Sequence, residues 1–254
     1  MSEDSSVPQI RIGTSGWNYK HWREVFYPAD LSQKEWFSHY ATKFDTVEVN
    51  NTFYQLPEES TFAGWHEQAP AGFVYTLKGN RYITHLKHLK ASEETVNRFL
   101  DRARKLEENL GPILWQLPPR WYKNLERLEH FLNLLPKDLI HVFEFRDEDW
   151  FSDDVMDLLD REQASFCTHD MVGLDVPHAV TGRAAYVRFH GTADEKYRGS
   201  YEDDAIQEWA CWLADQYRAG KSVYAYFNND VAGHAPRDAA RLREALHDIV
   251  VHDT

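Results

Sequence analysis

Residues 46–57, TVEVNNTFYQLP, begin with strict alternation, Val47 and Val49 on one face of an extended strand and Thr46, Glu48 and Asn50 on the other. Valines outward and a carboxylate inward predict one stave of a barrel whose inner row ends in polar groups. The parity recurs along the chain. The last inward positions of the later apolar runs are Thr76 and Lys78, Leu114 and Gln116, Glu144 and Arg146, Thr168 and Asp170, Arg188 and His190, and Tyr226 and Asn228.

Strands are predicted over 10–13, 46–50, 73–78, a run ending at Gln116, 140–145, 164–168, 184–189 and 223–227. Helices are predicted over 32–43, 57–68, 92–109, 124–135, 153–161, 203–218 and 236–247, with Ser32 and Ser92 as N-caps. Residues 171–183, MVGLDVPHAVTGR, are too short for a full helix, so a reduced crossover is expected between strands 6 and 7. Strands alternating with helices imply right-handed crossovers and a parallel sheet. The fold class is α/β, a single TIM-type (β/α)8 barrel over 10–254 behind a flexible leader at 1–9.

Bulk properties narrow the functional classes. A chain of 254 residues with 43% hydrophobic content suits one such barrel. Its net charge of -13 argues against a broad nucleic-acid surface. Cys167 and Cys211 show no metal-site spacing, the N-terminal stretch has no apolar signal core, and no run reaches membrane-spanning length. A reducing cytoplasm is the expected compartment, and nothing indicates an oligomeric state. Residues 79–90, GNRYITHLKHLK, are the one locally basic stretch, either a solvated loop or a cover in which Arg81, His85 and Lys87 attract an anion.

The motifs SGW at 15–17, VEVNNTFYQLP, YITH at 82–85, QLPP at 116–119, FEFR at 143–146, RFHG at 188–191, YRGSY at 197–201 and FNN at 227–229 together resemble domain-of-unknown-function family 72, the YecE-like group. The resemblance spans nearly the whole chain and implies a TIM-type barrel, but no established reaction. Asp147 and Asp149 before Trp150, and His234 and Asp238 near the end, depart from the pattern of the family, so no role is carried over to them.

Barrels of this kind work at the carboxyl ends of their strands. Glu48, Glu144, His190 and Lys78 are the candidate catalytic groups, since two glutamates and a histidine can divide proton donation and abstraction. A Schiff base at the strand-end Lys78 would need a lowered pKa, which nothing in the sequence shows. Arg146 and Arg188, with Lys78, are candidates to hold an anion, because three buried cations need carboxylates, a bound anion, or both. Ser15, Trp17, Asn50, Tyr54, Gln116, Asp170, Tyr197, Tyr201, Asn228 and Asn229 complete the expected substrate-binding set. Plainer readings stand beside these: Glu144 with Arg146, or Glu48 with Arg188, as architectural ion pairs, His190 as a satisfied interior histidine, and the asparagines as turn residues.

The expected activity is acid/base chemistry on a small anionic, phosphorylated or carboxylated sugar-like metabolite, as a hydrolase, isomerase or lyase without a cofactor. The alternatives are a non-catalytic metabolite-binding protein and a metal-dependent nucleic-acid processing enzyme. A metal would draw on Glu48, Glu144, Asp170, His169 and His190, against the repulsion of three nearby cations.

Overall fold

The computed structural model describes residues 7–192 and 199–252. Eight strands lie in the order β1-β8-β7-β6-β5-β4-β3-β2, with every paired neighbour parallel. They are β1 (Ile10–Thr14), β2 (Thr46–Val49), β3 (Val74–Lys78), β4 (Leu110–Gln116), β5 (His141–Glu144), β6 (Ser165–His169), β7 (Ala184–Phe189) and β8 (Ser222–Phe227). An isolated parallel bridge between Ser15 and Glu48 brings the first and last strands of that order together, so the sheet is a nearly closed TIM-type barrel.

The closure between β1 and β2 has its own chemistry. A Cβ on Gly13 would sit 2.4 Å from the Thr46 carbonyl oxygen, so glycine alone lets the two backbones approach. The Tyr40 hydroxyl fills the missing ladder by donating to Thr46 O at 2.9 Å and accepting from Thr14 N at 3.1 Å. Across the lumen, the Tyr226 hydroxyl lies 2.7 Å from both Thr46 Oγ1 and Thr76 Oγ1 and ties β8 to β2 and β3.

The helices are α1 (Trp36–Ala41), α2 (Asn51–Tyr54), α3 (Glu59–Gln68), α4 (Glu93–Ala103), α5 (Leu125–Leu134), α6 (Asp153–Arg161), α7 (Asp203–Arg218) and α8 (His234–His252). They bury their apolar stripes against the outward strand residues; Phe99 of α4 and Phe131 of α5, for example, flank Trp115 of β4. No helix is long and apolar enough to cross a membrane among the described residues. No helix occupies 171–183, as expected of a reduced crossover.

Several expectations are corrected. The 32–43 segment is a capping-box turn at Ser32 followed by the short α1, and the 57–68 helix starts two residues later, at Glu59. The 92–109 helix ends at Ala103 and tightens into a 3-10 turn in which Glu107 takes φ 50°, so the chain can feed straight into β4. The NTFY run after β2 is the one-turn α2, and YITHL (Tyr82–Leu86) is a π-helical turn. The inward parity fails once, in β6. Cys167 joins the inner cluster with Tyr186 and Tyr226, whereas Thr168 turns outward to the carbonyls of Pro177 and Ala179. A small sulfhydryl fits the narrow lumen, and the Thr168 hydroxyl finds acceptors on the covering segment instead.

Candidate functional site

The inward rows of β2, β5 and β7 converge on one buried cluster of charge. Glu48, Glu144 and Arg188 are 0%, 0% and 1% exposed. Arg188 donates to Glu48 through Nη2 at 2.7 Å and through Nε at 3.0 Å, and to Glu144 Oε2 through Nη1 at 2.6 Å. Glu48 also accepts from Ser15 Oγ at 2.8 Å and from the Tyr186 hydroxyl at 2.7 Å. Glu144 forms a second ion pair with Arg146. Burial pushes the Glu144 carboxyl upward, yet Arg146 and Arg188 prevail and hold it well below the usual carboxylate range.

This geometry redistributes the expected roles. Arg188, an expected anion ligand, spends its donors on two glutamates beneath the mouth. Of the two glutamates expected to carry protons, Glu48 has its oxygens taken up by Ser15, Tyr186 and Arg188, and Glu144 is held strongly ionised. His190 is buried, and burial together with Arg146 and Arg188 holds its pKa well below the ordinary value. Its Nε2 lies 3.1 Å from Arg146 Nη2, which can only donate, so Nε2 accepts there; Nδ1 lies 3.4 Å from Asn228 Nδ2. These four residues make a rigid floor.

Lys78 stands apart. It follows Thr76 in the inward row of β3 and is partly exposed, and the β2–β3 register places Asn50 beside it. Lys78 stays outside the ion pairs that Glu48 and Glu144 make with Arg146 and Arg188, and among the described residues no carboxylate lies within 4.0 Å of its ammonium. Its Nζ lies over the Phe53 ring, 4.3 Å from the centroid. Burial, then the charge of Arg188, lowers its pKa to about 7, against the opposing pull of Glu144 and Glu48. Its backbone is pinned, since Thr52 Oγ1 donates to Lys78 O at 2.6 Å.

On the far side of the mouth Asp170 accepts from His190 N at 2.6 Å and from the Tyr201 hydroxyl. Burial raises its pKa to about 6. Tyr201 also accepts from Gly191 N at 2.8 Å, so Asp170 and Tyr201 together fix the turn after β7. Four buried side-chain atoms have no hydrogen-bond partner among the described residues: Asn50 Oδ1, Arg146 Nε, Asn229 Oδ1 and Glu144 Oε1, the last meeting Arg146 as an ion pair.

The remaining expected ligands are scattered rather than gathered on this floor. Gln116 ends β4 and donates to Leu117 O at 2.9 Å, and Trp17 packs edge-on against Phe37. Tyr54 is 69% exposed on α2, outside the buried cluster. Asn229 is fully buried and turned away, donating to Gly199 O and to Asp238 at 2.8 Å each. Asp238, one of the departures from the family pattern, is a buried staple that also accepts from Ser200 Oγ and Tyr201 N. Tyr197 lies outside the described residues.

Sequence reasoning missed Tyr186, Cys167, Met171 and Phe53. Tyr186 is two residues before Arg188 on the same parity, which is the signal that would have found it; Met171 Sδ, against Arg146 Nη1, has no comparable signal. The residues named for a metal do not form a ligand cluster. Among the described residues the one group of three with ligand atoms within 4.8 Å is His66, Glu107 and Glu108, where the two glutamates are exposed and His66 Nδ1 is already on Asn109 at 2.6 Å.

Fold and site together define a TIM-type barrel with a buried ion-pair cluster beneath its mouth and a lysine at the end of β3. The chain belongs to the family described as protein of unknown function DUF72, whose sequence model matches residues 11–252. It is similar to the UPF0759 protein YecE of Escherichia coli, 31% identical over 144 residues, a match covering 56% of this chain and 50% of that protein. The aligned part therefore spans about half the length of YecE. The UPF0759 protein YunF of Bacillus subtilis is 23% identical over 93% of this chain and 94% of its own length. Among solved structures, a DUF72 family protein of Thermotoga maritima superposes with a TM-score of 0.83 at 24% identity, covering 94% of this chain and 99% of that one. One from Enterococcus faecalis gives 0.80 at 20% identity, covering 94% and 96%. At those identities the likeness speaks for the fold alone.

Proposed function

We propose that the mouth of the barrel is the active site of an enzyme that performs acid/base chemistry on a small anionic, sugar-like metabolite. The observation that carries this reading is the leftover cation: Glu48 and Glu144 pair with Arg146 and Arg188, and among the described residues no carboxylate lies within 4.0 Å of the Lys78 ammonium. A bound phosphate or carboxylate gives that ammonium a counter-charge, with Arg146 Nε as a second donor and Asn50 Oδ1 as an acceptor for a sugar hydroxyl. Lys78, at about 7, and Asp170, at about 6, are the groups that move protons, because each is poised near neutrality by its surroundings. Glu48, Glu144, Arg188 and His190 position them. Perturbed titration inside a strand-end mouth favours an enzyme over a purely binding protein.

The test is a turnover screen of the purified chain against sugar phosphates and sugar acids, alongside Lys78→Met and Asp170→Asn. Conversion of one anionic compound, lost in both variants while their folding is retained, supports the reading. Conversion that survives both variants overturns the assignment.

A further inference from the structure

Lys78 is the end of a built device. Thr52 fixes its carbonyl at 2.6 Å, and Asn80 Nδ2 in turn holds Thr52 O at 2.9 Å, so the lysine backbone is clamped from α2. The amine rests on the face of Phe53, whose ring meets His85 edge-on at 4.9 Å between centroids. The groups that bear on it come from several elements: Arg188 of β7, Arg146 after β5, Glu144 of β5, Glu48 of β2 and, on the π-helical turn, His85. His85 is itself held to about 4, first by burial and next by the charge of Lys78, so it stays neutral and adds no charge to this wall. A buried amine on an aromatic face, with no carboxylate within 4.0 Å among the described residues, is the setting in which a lysine becomes a nucleophile.

We infer that Lys78 forms a covalent Schiff base with an aldehyde or ketone that also carries a phosphate or carboxylate. The inference rests on the reading above and narrows its substrate class from anionic sugar-like compounds to anionic carbonyl compounds. The neutral amine attacks the carbonyl carbon, forming an N–C bond while the C=O π pair moves to oxygen. A proton passes from nitrogen to that oxygen, giving a carbinolamine. Loss of the hydroxyl with a second proton as water breaks the C–O bond and leaves the imine. No oxidant or reductant enters. Protonated, the imine withdraws electrons from the adjacent carbon, and Asp170 is the mouth group available to take a proton from it. Arg146, whose Nε has no hydrogen-bond partner among the described residues, is the cation left to hold the anionic end of the compound.

The test is reductive trapping. The full chain at pH 7 is mixed with dihydroxyacetone phosphate, glyoxylate or neutral dihydroxyacetone, reduced with cyanoborohydride, and read by intact mass and peptide mapping. At that pH a lysine titrating near 7 is about a thousandfold richer in neutral amine than an ordinary one, so a single adduct is expected to form first on Lys78. It forms with an anionic carbonyl well before the neutral one, and not in Lys78→Arg. The peptide map of the unaltered protein identifies the modified residue even where the variant folds poorly. Labelling spread over surface lysines, or no adduct with any probe, overturns the inference. A parallel melting curve with inorganic phosphate separates the two readings: stabilisation by phosphate without an adduct removes the covalent step and leaves the anion site, whereas neither effect removes both.

Discussion

Arg188 grips Glu48 with two of its nitrogens, Nη2 at 2.7 Å and Nε at 3.0 Å, in a part of the barrel where neither side chain reaches water. The remaining arm of the same guanidinium reaches Glu144, so one cation joins β2, β7 and β5 across the lumen. A network of this kind holds the barrel in one register, and breaking it is far costlier than never having it, since the orphaned charge remains buried.

Arg188→Met is therefore expected to lose on the order of 3–5 kcal/mol, because two glutamates are left without their shared cation. Denaturant unfolding measures it. The triple variant Glu48→Gln, Glu144→Gln, Arg188→Met should recover part of that loss, and a single variant as stable as the parent would show that the cluster is not the buried bridge described.

The lowered pKa of Lys78 makes a signed prediction. The folded state binds the proton more weakly than the unfolded chain, so the penalty is full below about pH 7 and fades as the pH rises toward the ordinary lysine value. Relative to Lys78→Met, the parent protein should gain stability between about pH 7 and 10, by at most about 1.4 kcal/mol per pH unit. Urea midpoints of both proteins at pH 7 and 9 check this; parallel pH dependence would place the lysine in open water.

Asp170 predicts the opposite slope at lower pH. Its folded-state pKa is raised to about 6, so its penalty is absent in strong acid and grows as the pH rises toward 6. Asp170→Asn keeps an acceptor for His190 N and should gain on the parent between about pH 4 and 6, with no further change above. Carboxyl titration followed by infrared or NMR spectroscopy reads the same group directly, and an apparent value near 4 would contradict the burial assigned to it.

Much of this was legible in the residues themselves. Alternation at Glu48, Glu144, Arg146, Arg188 and His190 placed each on the inner face, because one buried side of a strand leaves little freedom of register. It failed at Thr168, where the sulfhydryl of Cys167 and the hydroxyl of Thr168 both suit a polar or an apolar neighbour. Roles were less legible than positions. Three cations at strand ends look alike in sequence, and only the pairing distances show that Arg188 is consumed by glutamates while Lys78 is not. The Phe53 wall and the Thr52 clamp were hidden because NTFY continues a strand pattern and folds as one helical turn.

The central claim is that the mouth binds an anion, and melting curves test it most directly. The parent protein, Lys78→Met and Arg146→Gln are each heated with phosphate, sulfate, sugar phosphates, sugar acids and neutral sugars, with and without chelator. At 100 times its dissociation constant, a ligand of the native state adds about 2.7 kcal/mol, a rise of roughly 5–10 °C for a chain of this size. That rise is expected for one anionic class, indifferent to chelator and lost in both variants. No response to any anion, or a response that survives the loss of Lys78 and Arg146, would contradict that claim.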